Sequence, residues 1–262
     1  YEVIVVNDSS TDNSLEVASS FQDERIHIYT KENEGVSAAR NYGIMHAKYD
    51  YIAFLDADDI WESDYLECQK KLIGTYPDAG IYSTAFYSLE KGKRKLRNVL
   101  INEHIHFLVH DYFKESVMNG LSICWTSSLC LKKEVIKEIP MFRVGIKRGE
   151  DLDLWLRIAL NYDVAYLNLP KVFYRTGLSD SLTSDYSKNG EFPYYEWFNF
   201  TSESSYYRKY VILVVYIHAK NAFIHHDYDT CLAELWSVKT IAWRFKWAER
   251  LLLLVISWIK SK

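Results

Sequence analysis

Short apolar runs alternate with longer amphipathic stretches through the first eighty residues. Residues 3–6 are a β-branched run stopped by Asn7-Asp8-Ser9-Ser10, and Asp12 then opens a helical stretch that lasts to Phe21. Residues 26–29 predict a second strand, and residues 36–48 a helix built on the good helix former alanine. A third strand over 51–55 ends at Asp56-Ala57-Asp58-Asp59, a helix over 63–76 closes at Pro77, and a fourth strand covers 79–84. Strands separated by helices of this length predict an α/β fold whose parallel sheet is covered on both faces. In such sheets ligands lie at the carboxyl ends of the strands. Asp8 and the Asp56, Asp58, Asp59 cluster both fall at such ends, so both are expected to face one crevice.

Past residue 84 the pattern loosens. Residues 89–103 hold Lys91, Lys93, Arg94, Lys95 and Arg97 and read as a solvated loop. A short helix is expected over 132–139, and a strong one over 150–162 with Leu152, Trp155, Leu156 and Ala159 on one face. Strands follow at 164–167 and 171–175, then a loop or lid over 176–190 rich in Ser, Asp and Gly. From Glu191 the chain turns helical and aromatic with no strand signal. A boundary there divides a domain at 1–190 from a helical region at 191–262.

Composition changes this picture in three places. The 262 residues hold 8 Trp, 21 Tyr and 12 Phe against 10 Gly and 4 Pro, so packing and stacking surface far exceeds turn chemistry. A net charge of −4 argues against nucleic acid as a partner, whereas residues 239–262 carry a local basic excess. Cys68, Cys124, Cys130 and Cys231 are scattered without a paired spacing, the usage of a reduced, cytoplasmic protein without disulfides or a zinc site.

The sharpest chemistry lies in Asp56-Ala57-Asp58-Asp59. Carboxylates placed directly after a strand offer hard oxygen ligands of the kind that suits Mg²⁺ or Mn²⁺ together with substrate phosphates. A solvated helix cap is the plainer alternative for these residues. Three further segments accompany them: Glu2-Val-Ile-Val-Val-Asn-Asp8-Ser-Ser-Thr-Asp12, Asn33-Glu-Gly35-Val-Ser-Ala-Ala-Arg40-Asn41-Tyr-Gly43 and Gly149-Glu-Asp151-Leu-Asp-Leu-Trp155. In this order and at these spacings the four segments resemble the family 2 glycosyltransferases, inverting enzymes of bacterial surface-polysaccharide type. The resemblance covers roughly residues 1–175. It implies the GT-A fold, a Rossmann-like, mostly parallel sheet flanked by helices, here with a helical C-terminal extension.

The resemblance also implies roles. Asp8 matches the carboxylate that hydrogen-bonds the nucleotide base, typically uracil, and Arg40 a residue near base and diphosphate. Asp56 and Asp58 match the DXD pair, one on the ribose and the other on the metal; Asp59 adjoins them, and which of the three ligates is open. Asp151 matches the general base, with Glu150 beside it. At a helix start, the macrodipole favours the Asp151 carboxylate and slightly lowers its basicity. The implied reaction moves a sugar from a nucleotide-diphospho-sugar, typically a UDP-sugar, to a saccharide or lipid-linked saccharide acceptor. Two departures stand out. Gly177 occupies the place where relatives often carry a metal-binding His, so the chain either uses fewer protein metal ligands or takes a substitute such as Asp180 or Asp185 from the loop. The family's opening strand and helix, with further nucleotide contacts, are expected to be missing before Tyr1.

Trp125 is either a sugar-stacking residue, as the resemblance implies, or a core residue. His104, His106 and His110 lie without acidic partners in sequence and read as no metal site. Between 192 and 200 the aromatics Phe192, Tyr194, Tyr195, Trp197, Phe198 and Phe200 form either a packed helix or an acceptor surface. In the tail, Val238, Ile241, Phe245, Leu252, Val255, Ile256 and Ile259 share one helical face opposite Lys239, Lys246 and Arg250. Trp236, Trp243, Trp247 and Trp258 line the border. That pattern predicts an interfacial helix on an anionic membrane, holding the protein peripherally to its inner face, or a helix packed on the domain. Two other classes stay open: a haloacid-dehalogenase-type phosphatase with Asp56 as nucleophile, and a catalytically impaired module that only binds sugar nucleotides.

Overall fold

Most strands form where β-branched or aromatic residues run together, and in the computed structural model the strands build two sheets. The structure describes residues 1–146, 148–177, 194–197 and 201–237. In chain order the elements begin with β1 (Val3–Asn7), α1 (Ser14–Ser19), β2 (Ile26–Thr30), α2 (Val36–His46), β3 (Tyr51–Ala53), β4 (Ile60–Trp61) and α3 (Tyr65–Thr75). The middle of the chain forms β5 (Ile81–Glu90), β6 (Lys93–Arg97), β7 (His106–Val109), α4 (Tyr112–Asn119), a 3₁₀ turn (Thr126–Ser128) and β8 (Leu129–Lys132). Then come α5 (Val135–Glu138), α6 (Glu150–Ala159), β9 (Val164–Arg175), α7 (Tyr194–Trp197), α8 (Tyr207–Ile224) and α9 (Tyr228–Ser237).

β1 and β2 pair in parallel as a separate two-stranded sheet, and the main sheet runs β3-β8-β5-β9-β4, with β6 on β5 and β7 on β9. The α/β class and the flanking helices match the expectation, but the sheet is mixed rather than mostly parallel. Only β1–β2 and β5–β9 are parallel among the described pairings; β3–β8, β5–β8, β5–β6, β4–β9 and β7–β9 are antiparallel. Helix-spaced strands predict parallel crossovers only for consecutive elements, whereas β6 returns on β5 as a hairpin, and β4, β7 and β8 pair with strands that are not their neighbours in the chain. β8 and α4 lie in segments to which no element was assigned. The basic stretch expected as a solvated loop is the β5–β6 hairpin, turned at Lys91 and Gly92, both at positive φ. The two strands expected at 164–175 are one, β9, whose pairing with β5 shifts register near Pro170.

α6 starts where Gly149 takes a left-handed conformation, φ 72°, that favours glycine and places Glu150, Asp151 and Asp153 in the first turn. It is buried more completely than the single expected face: Leu154, Trp155, Leu156 and Ile158 are all fully enclosed. Trp155 packs edge-on to Phe142 at 5.6 Å and tilted to Phe54 at 6.1 Å. The described part of the helical region joins this same core. Tyr207, Tyr210, Val211 and Val214 of α8 belong to one hydrophobic cluster with Trp155, Phe113 and Ile81. Tyr112 Oη meets Tyr210 Oη at 3.0 Å, and Tyr207 Oη donates to the Trp197 carbonyl at 2.6 Å. α9 packs back on α8 through Ala219, Ala222, Cys231 and Leu235. Of the aromatic run, Trp197 is thus a packed residue. The side chains of the others and all of residues 238–262 lie outside the described residues. No described helix is long and apolar enough to cross a membrane.

A buried ion network ties α6 to α7. Asp153, fully enclosed, accepts from Trp197 Nε1 and from Arg157 Nε and Nη2, each at 2.9 Å, with Arg143 Nε at 3.3 Å. Arg157 also donates to the Pro140 and Met141 carbonyls. Removing one partner of such a pair strands a buried charge. Asp153→Ala is therefore expected to cost about 3–5 kcal/mol, and Trp197→Phe, which loses one charged hydrogen bond, about 1.5–3 kcal/mol. Urea unfolding checks both values.

Candidate active site

Arg40 on α2 is the hub of the site. Its Nη2 meets Asp56 Oδ1 at 2.8 Å and its Nη1 meets Glu150 Oε1 at 2.8 Å, so one guanidinium joins the loop after β3 to the first turn of α6. The Phe142 ring lies 5.3 Å from its Cζ. Asn41, next in sequence, clamps the Phe142 backbone from both sides, donating to its carbonyl at 2.7 Å and accepting from its N–H at 3.0 Å. The helix α2 is thereby pinned to the segment that Arg157 holds from α6.

The aspartates after β3 divide by environment. Asp56 is half-buried, its N–H donating to Ser127 Oγ at 3.0 Å. Asp58 is half-buried, and its carbonyl accepts from Arg175 Nε. Asp59 is buried; Oδ1 accepts from the Arg175 N–H at 3.1 Å, while Oδ2 has no hydrogen-bond partner among the described residues. Burial and the neighbouring Asp56 and Asp58 charges push its pKa up to about 6, against the lowering effect of Ser127 and the Arg175 amide.

Across the cleft, Glu150 and Asp151 head α6. Burial and the adjacent Asp151 charge push Glu150 up to about 7, even with Arg40 opposing. Asp151 is half-buried, accepting from Thr126 Oγ1 at 3.2 Å and from the Leu152 N–H at 2.7 Å. Desolvation raises its pKa. This burial acts in the opposite direction to the expected helix-terminus effect. Arg40 is held above its ordinary pKa; burial opposes the charge, but Asp56, Glu150 and Asp151 outweigh it.

Asp8 stands at the end of β1, apart from the Arg40 cluster in its bonding. It accepts from Lys31 Nζ at 2.9 Å, Gly35 N at 2.9 Å and Glu34 N at 3.2 Å. Burial works to raise its pKa, but these donors hold it below the usual carboxylate range. Gly35, at φ 88°, allows the loop to aim its N–H there. A cleft of about 310 Å³ separates β1 from β3, lined by Ile4, Val6, Gly43, Phe54, Arg40 and Asp56. Trp125 is half-buried against Phe86 at 5.5 Å and Tyr174 at 4.6 Å.

The sequence places Thr126 and Ser127 beside Trp125 and Arg175 shortly before Gly177 but assigns them no role; their contacts with Asp151, Asp56 and Asp59 are made partly through backbone atoms and across distant segments, which leaves no residue-type signal. His110 does have an acidic partner, contrary to the expectation: its Nδ1 lies 2.8 Å from Asp163 Oδ2, while His106 contacts Tyr76 Oη at 3.2 Å. Asp163 is distant in sequence and reaches His110 only through the β7–β9 pairing. Asp180 and Asp185 fall outside the described residues.

A metal was expected on Asp56, Asp58 and Asp59. Among the described residues no three His, Cys, Asp or Glu side chains converge on one point. Half-buried Asp56 and Asp58 fit a cation that takes most of its ligands from a substrate diphosphate and water.

The sequence profile of glycosyl transferase family 2 matches residues 1–139, and the chain belongs to that family. It is similar to an uncharacterized glycosyltransferase of Rickettsia felis, 34% identical over 164 residues, which cover 61% of this chain and 25% of that protein. It is also similar to the putative teichuronic acid biosynthesis glycosyltransferase TuaG of Bacillus subtilis, 30% identical over 169 residues, 63% of either chain. The chain thus spans a quarter of the one relative and under two thirds of the other. Among solved structures, S. aureus TarS in complex with UDP-GlcNAc superposes with a TM-score of 0.68 at 15% identity, over 89% of this chain and 70% of that one. That likeness shows the GT-A glycosyltransferase fold. Family membership sets aside the phosphatase reading of Asp56.

Burial of Glu150 makes the site's stability pH-dependent, and Arg40 limits the effect. Between about 4.5 and 7 the folded protein keeps a proton on Glu150 that the unfolded chain releases, so this group's contribution to stability falls as pH rises through that window. Without the guanidinium, the Glu150 pKa climbs further. Arg40→Met is expected to cost about 3–5 kcal/mol at pH 8 and clearly less at pH 5, where the stranded carboxylate takes up a proton. Equal losses in urea unfolding at both pH values would contradict the bridge.

Proposed function

We propose that this chain transfers a sugar, with inversion, from a nucleotide-diphospho-sugar to a saccharide or lipid-linked saccharide acceptor in surface-polysaccharide assembly. A UDP-sugar is the donor class favoured by the family resemblance and by the UDP-GlcNAc bound to TarS. TuaG, named for teichuronic acid biosynthesis, supports the polysaccharide setting. The observation that carries the mechanism is Asp151: a half-buried carboxylate of raised pKa, oriented by the Thr126 hydroxyl, one residue from the Arg40-bound Glu150.

An acceptor hydroxyl beside Asp151 gives its proton to the carboxylate as its oxygen forms the new bond to the anomeric carbon. The bond from that carbon to the diphosphate oxygen breaks on the opposite side, and the nucleoside diphosphate leaves with the electron pair. Thr126 holds Asp151 for this step, and its desolvation keeps the proton-accepting form reactive near neutral pH. Arg40 fixes Asp56 and Glu150 and lends positive charge to a site otherwise crowded with carboxylates. Asp8, kept ionised by its donors, is an acceptor for the N–H of a nucleotide base. Asp56 and Asp58 would hold Mg²⁺ or Mn²⁺, which when bound neutralises charge on the leaving diphosphate. Asp59, buried on the Arg175 backbone, supports the loop.

Asp151→Asn is expected to lower turnover by at least about 10²-fold while UDP affinity, measured by calorimetric titration with Mn²⁺, stays within error. Asp58→Ala is expected to lose the Mn²⁺-dependent part of that affinity. Wild-type turnover by Asp151→Asn overturns the mechanism. UDP binding without turnover by the unaltered chain, over a panel of donors and saccharide acceptors, favours the module that only binds sugar nucleotides.

A further inference from the structure

The β5–β6 hairpin presents five cations, Lys91, Lys93, Arg94, Lys95 and Arg97, all exposed. The strand register sorts them. Arg97 lies opposite Phe86, Lys95 opposite Ser88 and Lys93 opposite Glu90, while on the other side of β5 Ser88 lies opposite Tyr174. Residues opposite one another, and alternate residues along a strand, share a face of the sheet. Lys93, Lys95 and Arg97 therefore share the face of Phe86 and Tyr174, the two rings that flank Trp125. Arg94 falls on the other face, with its Cζ 4.9 Å from the Phe173 ring centroid.

Trp125 directly precedes Thr126, whose hydroxyl touches Asp151. The half-buried residues Asp151, Trp125 and Tyr174 thus lead, over a buried Thr126 and Phe86, toward a row of exposed cations about 13 Å long. Glu90 faces Lys93 at the far end of the row, which leaves Lys95 and Arg97 as its effective charges. Arg97 spends its Nε on Ser88 Oγ at 3.1 Å, leaving its two terminal nitrogens as a fork that suits a phosphate or carboxylate. Cations on an exposed edge strand also discourage pairing with other chains. That role asks only for charge on the edge and does not account for three of them lining up with Trp125.

The opposite end carries the half-buried acids Asp56, Asp58 and Asp151, in a chain of net charge −4. An anionic chain crossing this gradient is repelled from the carboxylates and drawn to β6, which sets its direction. We propose that this face takes the acceptor, and that the acceptor is a saccharide chain bearing repeated negative charge as phosphodiester or carboxylate groups. The proposal rests on the glycosyl-transfer reading and names the substrate class of the same site.

The test is calorimetric binding to the unmodified chain of three oligomers of equal length: a neutral dextran, an oligogalacturonate and a glycerol-phosphodiester oligomer. Either anionic oligomer is expected to bind at least about tenfold more tightly than dextran in 50 mM NaCl, with the preference fading in 250 mM. Which of the two binds more tightly identifies the anionic group. K95Q/R97Q is expected to lose the preference, and K95R/R97K to retain it. Equal binding of neutral and anionic oligomers, or an undiminished preference in K95Q/R97Q, overturns the proposal. So does the pattern of a membrane surface, in which anionic phosphatidylglycerol vesicles bind in a Lys95- and Arg97-dependent way and neither oligomer does. UDP binding with Mn²⁺, measured on the same samples, reports separately on the donor site. Its failure with the anion preference intact would sink the glycosyl-transfer reading and not the charged surface.

Discussion

The guanidinium of Arg40 is buried between two carboxylates, one 16 residues away on the loop after β3 and the other 110 residues away at the head of α6. Each of the three charges would be costly to bury alone; together they are satisfied, and the geometry that satisfies them is the geometry of the site. The bridge draws Glu150, and with it Asp151, toward Asp56. It also explains why Asn41 grips the Phe142 backbone: a guanidinium holds two carboxylates at 2.8 Å only if the helix that bears it is fixed against both.

The second buried network, on Asp153, performs the matching task from the other side of α6. Asp151 faces Thr126, whereas Asp153 faces Trp197, Arg157 and Arg143. Through Arg157 it holds the segment that ends at Phe142, so the two networks meet on one loop. In the proposed mechanism, two residues of one acidic helix start are thus divided between chemistry and anchorage. Part of the aromatic surplus in the C-terminal region has the same purpose, since Trp197, Tyr207 and Tyr210 close the core over α6.

Much of this was legible in the residues. The four motif segments located Asp8, Arg40, Asp56, Asp58 and Asp151, and the helix-spaced strands indicated an α/β sheet. What stayed hidden depends on contacts distant along the chain. β8 and β6 gain their strand character from pairing with β5, and a basic run such as 93–97 has no apolar alternation by which to recognise it. Glu150 was placed only as a neighbour of Asp151, because nothing local shows that its partner is Arg40. Nothing in the sequence singles out Asp153 from its acidic neighbours; its buried partner Trp197 lies 44 residues later.

The proposed mechanism rests on one arrangement, a half-buried carboxylate held by a hydroxyl at the head of α6. A single in-line displacement at such a base inverts the anomeric centre. Proton NMR of the first product formed from an α-linked nucleotide donor tests this most directly. The account predicts a β-linked product from the first turnover. An α-linked product would contradict it, because retention requires a different arrangement of groups from the one built around Asp151 and Arg40.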